Sequence, residues 1–243
     1  MRFYADKHLY LNDKDETYKS VTSLIKDFCP KKDWDKIATA YAKKHKRTVA
    51  DVKGEWEKEK QLSIIKGVDF HNFMEKTIIE KNKIKIDGEW YSIFDSPIVN
   101  NVKKAKILKL EDGVYPELIV YSHKYKLAGQ ADLITVRKGA IHIEDYKTNK
   151  KIVTESYKHW KDGHEMMLYP LSKFMDCNFW HYTIQLNIYM FLLRTHNPNL
   201  KVGTMVIKHN TPDGIVEYKV TNIQSDIKRL LEYYKERSKF KMI

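Results

Sequence analysis

The chain has 243 residues, with 44 Lys and Arg against 32 Asp and Glu, and so a formal net charge of +12. At 42% hydrophobic residues it is not a disordered polymer. Two cysteines, Cys29 and Cys177, are too few for a disulfide framework or for a four-cysteine zinc or iron–sulfur centre. The densest late apolar run, Ile188 to Leu193, falls far short of the roughly 20 residues a membrane-spanning helix needs. With no apolar stretch at the N-terminus either, a soluble, cytoplasmic protein with reduced thiols is the expectation. The positive excess suggests a polyanionic partner, or serves solubility alone.

In chain order, Lys32–Lys46 and the longer Thr48–Glu80 read as helices. The second carries Ile64, Ile65, Val68, Phe73, Met74 and Ile78 at helical spacing. Residues 114–148 read as three strands, Leu118–Tyr125, Leu127–Arg137 and Ala140–Lys147. An irregular stretch follows, then an apolar helix over Asn178–Thr195. Val202–Lys208 and Ile215–Val220 read as strands around a Pro212-Asp213-Gly214 turn. The chain closes on a basic amphipathic helix, about Ile223–Lys239. No linker divides it, so one domain over 1–243 is expected, mainly helical to residue 112 and then a sheet core with C-terminal helices. The order predicts an α/β fold, a sheet with helices packed on its faces.

The strands carry the chemistry. With Lys138-Gly139 as a two-residue hairpin loop, paired positions sum to 277. Val136 then faces Ile141, Ile134 faces Ile143, Asp132 faces Asp145 and Gln130 faces Lys147. All eight share one sheet face. Directly opposed carboxylates repel, and a hard divalent cation bound by their oxygens would relieve this. Lys147, two residues from Asp145, could then orient a water and stabilise developing negative charge. A partly buried Asp–Lys pair without metal accounts for the same residues equally well. A turn at Lys124-Tyr125 gives pairs summing to 249 and puts Glu117 opposite Asp132; the alternative is an edge charge facing solvent.

Gly129-x-x-Asp132, then Asp145-Tyr146-Lys147-Thr148, then Gln185-x-x-x-Tyr189 resemble the PD-(D/E)XK nuclease superfamily. Gly67-x-x-x-His71 upstream is similar to its RecB-like exonuclease branch. Asp176-Cys177-Asn178-Phe179-Trp180-His181-Tyr182 resembles phage-encoded members and the mitochondrial genome-maintenance exonuclease. The motifs span residues 67–189, about half the chain.

The resemblance implies a restriction-endonuclease-like mixed sheet flanked by helices, with a helical N-terminal region. It implies metal binding by His71, Asp132, Asp145 and the Tyr146 carbonyl. Lys147 would be the catalytic lysine and Glu117 an additional acid, with Glu75 as a more distant candidate. Gln185 and Tyr189 would position the lysine and the substrate strand, and Thr148 could donate to a phosphate. A glycine at 67 would let its helix approach the sheet closely.

The activity implied is a Mg²⁺- or Mn²⁺-dependent DNA exonuclease on single-stranded ends, in phage-type replication, recombination or repair. A structure-dependent endonuclease on the same fold and a non-catalytic nucleic-acid-binding module are the alternatives. No Walker A pattern occurs, so the chain holds no helicase motor. Candidate strand contacts are Tyr41, Lys43, Lys44, His45, Lys46, Arg47, Trp56 and Lys58, then Lys103, Lys104 and Lys106. A third basic cluster, Lys235, Arg237, Lys239 and Lys241, could be a soluble tail.

Overall fold

The long helices start where side-chain caps stand. Asp33 accepts the Lys36 N–H at 2.9 Å ahead of α2 (Trp34–Lys44), and Thr48 accepts the Asp51 N–H at 3.1 Å ahead of α3 (Val49–Ile79). This computed structural model describes residues 1–96, 98–105, 109–159 and 163–240, with side chains to Arg237. Lys106, Lys239 and Lys241 of the expected basic clusters therefore lie outside the described side chains. Before α2 come β1 (Arg2–Tyr4), β2 (Leu9–Leu11), β3 (Thr17–Ser20) and the short α1 (Val21–Lys26). After α3 come β4 (Lys83–Ile86), β5 (Glu89–Ser92), β6 (Ile98–Val99) and β7 (Val102–Lys104). None of these seven strands was expected from the sequence. Each is two to four residues long, too short for a period-2 pattern to stand out.

The rest follows the expected order. β8 (Gly113–Ser122), β9 (Leu127–Arg137) and β10 (Ala140–Lys147) are succeeded by the small β11 (Lys158–His159) and β12 (Gly163–His164). Then come α4 (Asn178–His196), β13 (Lys201–Thr211), β14 (Gly214–Lys219) and α5 (Gln224–Phe240). The main sheet runs β14-β13-β10-β9-β3-β2-β1-β7-β6, with β8 along β9. It is mixed: β10–β13 and β3–β9 are parallel and the other pairs antiparallel. One core packs Ile134, Val136, Ile141, Ile143 and Ile207 against Leu24 and Ile25 of α1, Ile184 and Ile188 of α4 and Leu230 of α5. A smaller cluster, Val114, Leu133, Tyr146, Tyr91 and Ile78, seats the C-terminal end of α3.

The helical stripe of α3 is not a buried stripe. Ile64, Ile65, Val68 and Phe73 are all half or more exposed, and only Val52 and Ile78 are buried. The helix is about 46 Å long. Its start packs on Ala38 and Ala42 of α2, its end on the sheet, and its middle spans the site cleft described next. Among the described residues no helix is long and apolar enough to cross a membrane.

Candidate active site

The site lies where the sheet forks. β8 occupies one edge of β9 throughout. The other edge is shared: β10 pairs with Leu133–Arg137 and β3 with Leu127–Ala128, leaving Gly129–Asp132 between them. The pairing that sums to 277 holds from Arg137↔Ala140 to Leu133↔Glu144 and stops one step before Asp132 and Asp145. Asp132 takes over from the lost ladder, its Oδ2 accepting the Tyr146 N–H at 2.6 Å. The pairing that sums to 249 also holds, on both sides of Glu117, with a wider turn than expected. At Glu117 itself the ladder is interrupted and φ is +48°. A left-handed non-glycine residue costs about 1–2 kcal/mol, and Glu117 adopts it inside a strand, away from any turn.

Three donors converge at this point: His71 from α3, Glu117 from β8 and Asp132 from β9, with ligand atoms all within 4.8 Å of one another. His71 Nδ1 stands 3.4 Å from Glu117 Oε1 and 3.5 Å from Asp132 Oδ1. Burial works against the His71 imidazolium. The Glu117 hydrogen bond and the charges of Asp132 and Glu117 outweigh it, raising the pKa to about 9. Burial, and then the charge of Asp145, push Asp132 well above the usual carboxylate range. Two buried carboxylates and an imidazole are a donor set that fits a hard divalent cation. Such an ion supplies an activated water and polarises a phosphoryl oxygen.

Asp145 is drawn elsewhere. It is fully buried, its Oδ2 is ion-paired with Lys147 Nζ, and its Oδ1 accepts the Gln185 Nε2 at 3.4 Å. The three-donor set does not include it. Burial disfavours the Lys147 ammonium, but Asp145 and Asp132 outweigh burial and hold its pKa above that of an ordinary lysine. Lys147 Nζ also donates to the Tyr146 carbonyl at 3.3 Å and sits 4.8 Å from the Tyr182 ring centroid. Gln185 donates to the Tyr189 hydroxyl at 3.2 Å as well. A row of two hydrogen bonds and an ion pair thus runs from Tyr189 through Gln185 and Asp145 to Lys147. Gly129 makes room for it: a Cβ there would lie 2.5 Å from Tyr189 Cε1.

Gly67 has a looser reason to be glycine than expected. A Cβ there would meet Thr148 Oγ1 at 3.7 Å, an ordinary contact, so close approach does not demand it. Glu75 does not reach the donor set; it pairs with Lys103 Nζ at 3.1 Å. Lys103 was expected to face phosphate, yet its side chain is 0% exposed. The cleft, about 570 Å³, is lined by Gly67, His71, Glu117, Asp132, Lys147 and Gln185, and also by Phe3, His8 and Tyr10. That N-terminal wall was missed, and Tyr182, though it closes the Asp176–Tyr182 stretch, was given no role at the site. No motif marks residues 3–10; only the short strands bring them there.

No curated protein sequence matches the chain. Among solved structures, SSO0001 matches at a TM-score of 0.36 and 19% identity, over 89% of this chain and 74% of that one. The Eubacterium rectale protein named "Putative exonuclease" matches at a TM-score of 0.32 and 18% identity, over 50% of this chain and 41% of that one. The sequence profile of the PD-(D/E)XK nuclease superfamily matches residues 30–242. By that match, which takes in every site motif above, the chain belongs to the PD-(D/E)XK nuclease superfamily.

Proposed function

We propose that the protein is a divalent-metal-dependent DNA exonuclease that hydrolyses phosphodiester bonds at single-stranded ends, using Mg²⁺ or Mn²⁺. The observation that carries the reading is the meeting of His71, Glu117 and Asp132 beside the buried Asp145–Lys147 pair, in a cleft spanned by α3. His71, Glu117 and Asp132 would hold the metal, with Asp145 and the Tyr146 carbonyl as further ligands. Lys147 would orient water and stabilise negative charge developing on the phosphoryl group. Gln185 and Tyr189 would fix the lysine's position through Asp145, and Thr148 would donate to a neighbouring phosphate. Exposed Trp34 and Tyr41 next to Trp56, with exposed Lys43 and Lys44 at the C-terminal end of α2 and Lys46 just beyond it, offer rings and charges to a single strand. Seven residues of α3 between Ser63 and Glu75, spaced to share one helix face, line the cleft, which suits a helix that guides the strand.

The test is degradation of end-labelled linear DNA with Mg²⁺ or Mn²⁺, alongside circular single-stranded DNA. Loss of linear ends with circles intact supports the proposal. Efficient cutting of circles establishes an endonuclease instead. DNA binding without cleavage under any divalent ion establishes a binding module. Undiminished cleavage by Asp132→Ala or Lys147→Ala refutes the site assignment.

A further inference from the structure

The motif Asp176–Tyr182 has a second use that the nuclease reading does not absorb. Among the described residues, three metal-ligating side chains converge at one other place: Cys29, Asp176 and His181. Cys29 follows α1, while Asp176 and His181 flank the start of α4, so the cluster joins segments 152 residues apart. His181 Nε2 lies 3.4 Å from Cys29 Sγ and 2.7 Å from Asp176 Oδ1, and all three donor atoms fall within 4.8 Å of one another. Both contacts use the same ring nitrogen. The Cys29 thiol also lies 3.5 Å from the Ile25 carbonyl, to which it can donate, and a relay through the two opposite ring nitrogens is ruled out because Nε2 makes both contacts.

We propose that Cys29, Asp176 and His181 form a zinc-type metal site, separate from the hydrolytic centre, that ties the end of α1 to the start of α4. Around tetrahedral zinc, with bonds of about 2.0–2.3 Å, neighbouring sulfur, nitrogen and oxygen donors stand about 3.3–3.6 Å apart. The Sγ–Nε2 separation already fits, and the Nε2–Oδ1 separation needs to open by about 0.6 Å. The ligand set also selects the metal class: thiolate with imidazole suits zinc and its neighbours, not Mg²⁺.

Charge balances. Lys32 Nζ stands 3.4 Å from Asp176 Oδ2 and 3.4 Å from Glu165 Oε2. It thereby serves the outer carboxylate oxygen and leaves Oδ1 for the metal. The divalent ion is neutralised by the Cys29 thiolate and Asp176, and Lys32 by Glu165. Without metal, burial and then the Asp176 charge push the Cys29 thiol up to about 12. Binding therefore breaks the Cys29 S–H bond and forms the sulfur–metal bond, shifts the His181 proton from Nε2 to Nδ1 so that Nε2 can ligate, and releases one proton to solvent, with no change of oxidation state. Cys29 borders a cleft of about 500 Å³ lined also by Lys19, Lys26 and Arg237, so the sulfur side of the site faces a solvent-accessible space.

The experiment uses the full chain and the metal ions alone. After incubation with Zn²⁺ and gel filtration, retained zinc is measured by mass spectrometry. Co²⁺ is then titrated in, and the sulfur-to-cobalt absorption followed. Stoichiometric zinc and a cobalt–sulfur band are expected in the native chain, in Cys177→Ser and in Asp132→Asn. Both are expected to vanish in Cys29→Ser, and zinc retention to fall at least tenfold in His181→Gln. A native chain that gives no cobalt–sulfur band overturns the proposal, whether or not Cys29→Ser folds. So does a band that survives Cys29→Ser, or that disappears in Asp132→Asn. The outcome is independent of whether the chain cleaves DNA.

Discussion

Gly129→Ala should injure the site without touching a single charged group. Its Cβ would stand 2.5 Å from Tyr189 Cε1 and 2.9 Å from the hydroxyl. That is about 1 Å inside ordinary carbon–carbon contact. Tyr189 cannot swing away, because its ring is buried at 3% exposure in the main core. Overpacking of this kind costs about 1–3 kcal/mol, and the enclosed ring places Gly129→Ala in the upper half of that range. The displaced hydroxyl loosens Gln185, which also holds Asp145 and through it Lys147. A misplacement of about 1 Å at a catalytic group lowers the rate roughly 10²-fold. Guanidinium unfolding at constant m and single-turnover cleavage measure the two effects. Gly67→Ala is the control: its methyl meets only Thr148 at 3.7 Å, and an alanine inside α3 gains about 0.8–1 kcal/mol of helix propensity. Adding Tyr189→Leu to Gly129→Ala should recover part of the lost stability, with a coupling of about 0.5–3 kcal/mol. If Gly129→Ala unfolds within about 0.5 kcal/mol of the parent and cleaves normally, the steric account of the motif glycine is wrong.

Four further outcomes are expected. Lys147→Met leaves Asp145 buried and uncompensated, and should lower stability by about 3–5 kcal/mol while abolishing cleavage; Asp145→Asn added to it should restore stability but not activity, both read by denaturant unfolding and end-label release. Because His71, at a pKa of about 9, is protonated in the metal-free site near neutral pH, Mn²⁺ must displace that proton, so affinity should climb from pH 6 toward 9; calorimetric heats that do not differ between buffers of unlike ionisation enthalpy would contradict this. Glu117→Gly relieves the left-handed backbone and should raise metal-free stability by about 1 kcal/mol while weakening Mn²⁺ binding, measured by thermal melts and titration. Lys103→Met, breaking the buried pair with Glu75, should destabilise the fold yet leave the salt dependence of DNA binding unchanged, whereas Lys43→Ala with Lys44→Ala should flatten that slope.

The registers were legible because each hairpin's centre sits on a short turn and its flanking strands are long. The second turn is four residues wide, not two, yet symmetry about the same centre preserves the pairs on both sides of Glu117, where the ladder itself is interrupted. The long helix α3 was legible from its apolar spacing. Three things were not. The N-terminal strands depend on pairing partners up to a hundred residues away, as in β1 with β7. Lys103 reads in sequence as one more surface lysine; only tertiary packing reveals that it is enclosed with Glu75. The apolar spacing of α3 is helical but says nothing of what covers it, and the structure leaves Phe73 63% exposed.

The split between Asp132 and Asp145 follows from where the sheet is strong. At the turn end of the β9–β10 hairpin, Ile134, Val136, Ile141 and Ile143 are fully buried and the ladder is continuous. That end fixes the register for the whole pair. At the other end, opposed carboxylates would stand about 4.5–5.5 Å apart in an unbroken ladder and repel each other. The strands separate there instead. Asp132 turns to the Tyr146 N–H, His71 and Glu117, while Asp145 turns to Lys147 and Gln185. Each carboxylate thus acquires its own cation, and the two cations serve different chemistry: an imidazole that a metal can replace as counter-charge, and a lysine that stays. The interrupted ladder at Glu117 and its left-handed backbone lie on the same step of the sheet. These two departures from regular sheet geometry therefore share one step of the sheet, held in place by the apolar half of the same two strands. The acidic site, in a chain of net charge +12, follows from that division of labour rather than from composition.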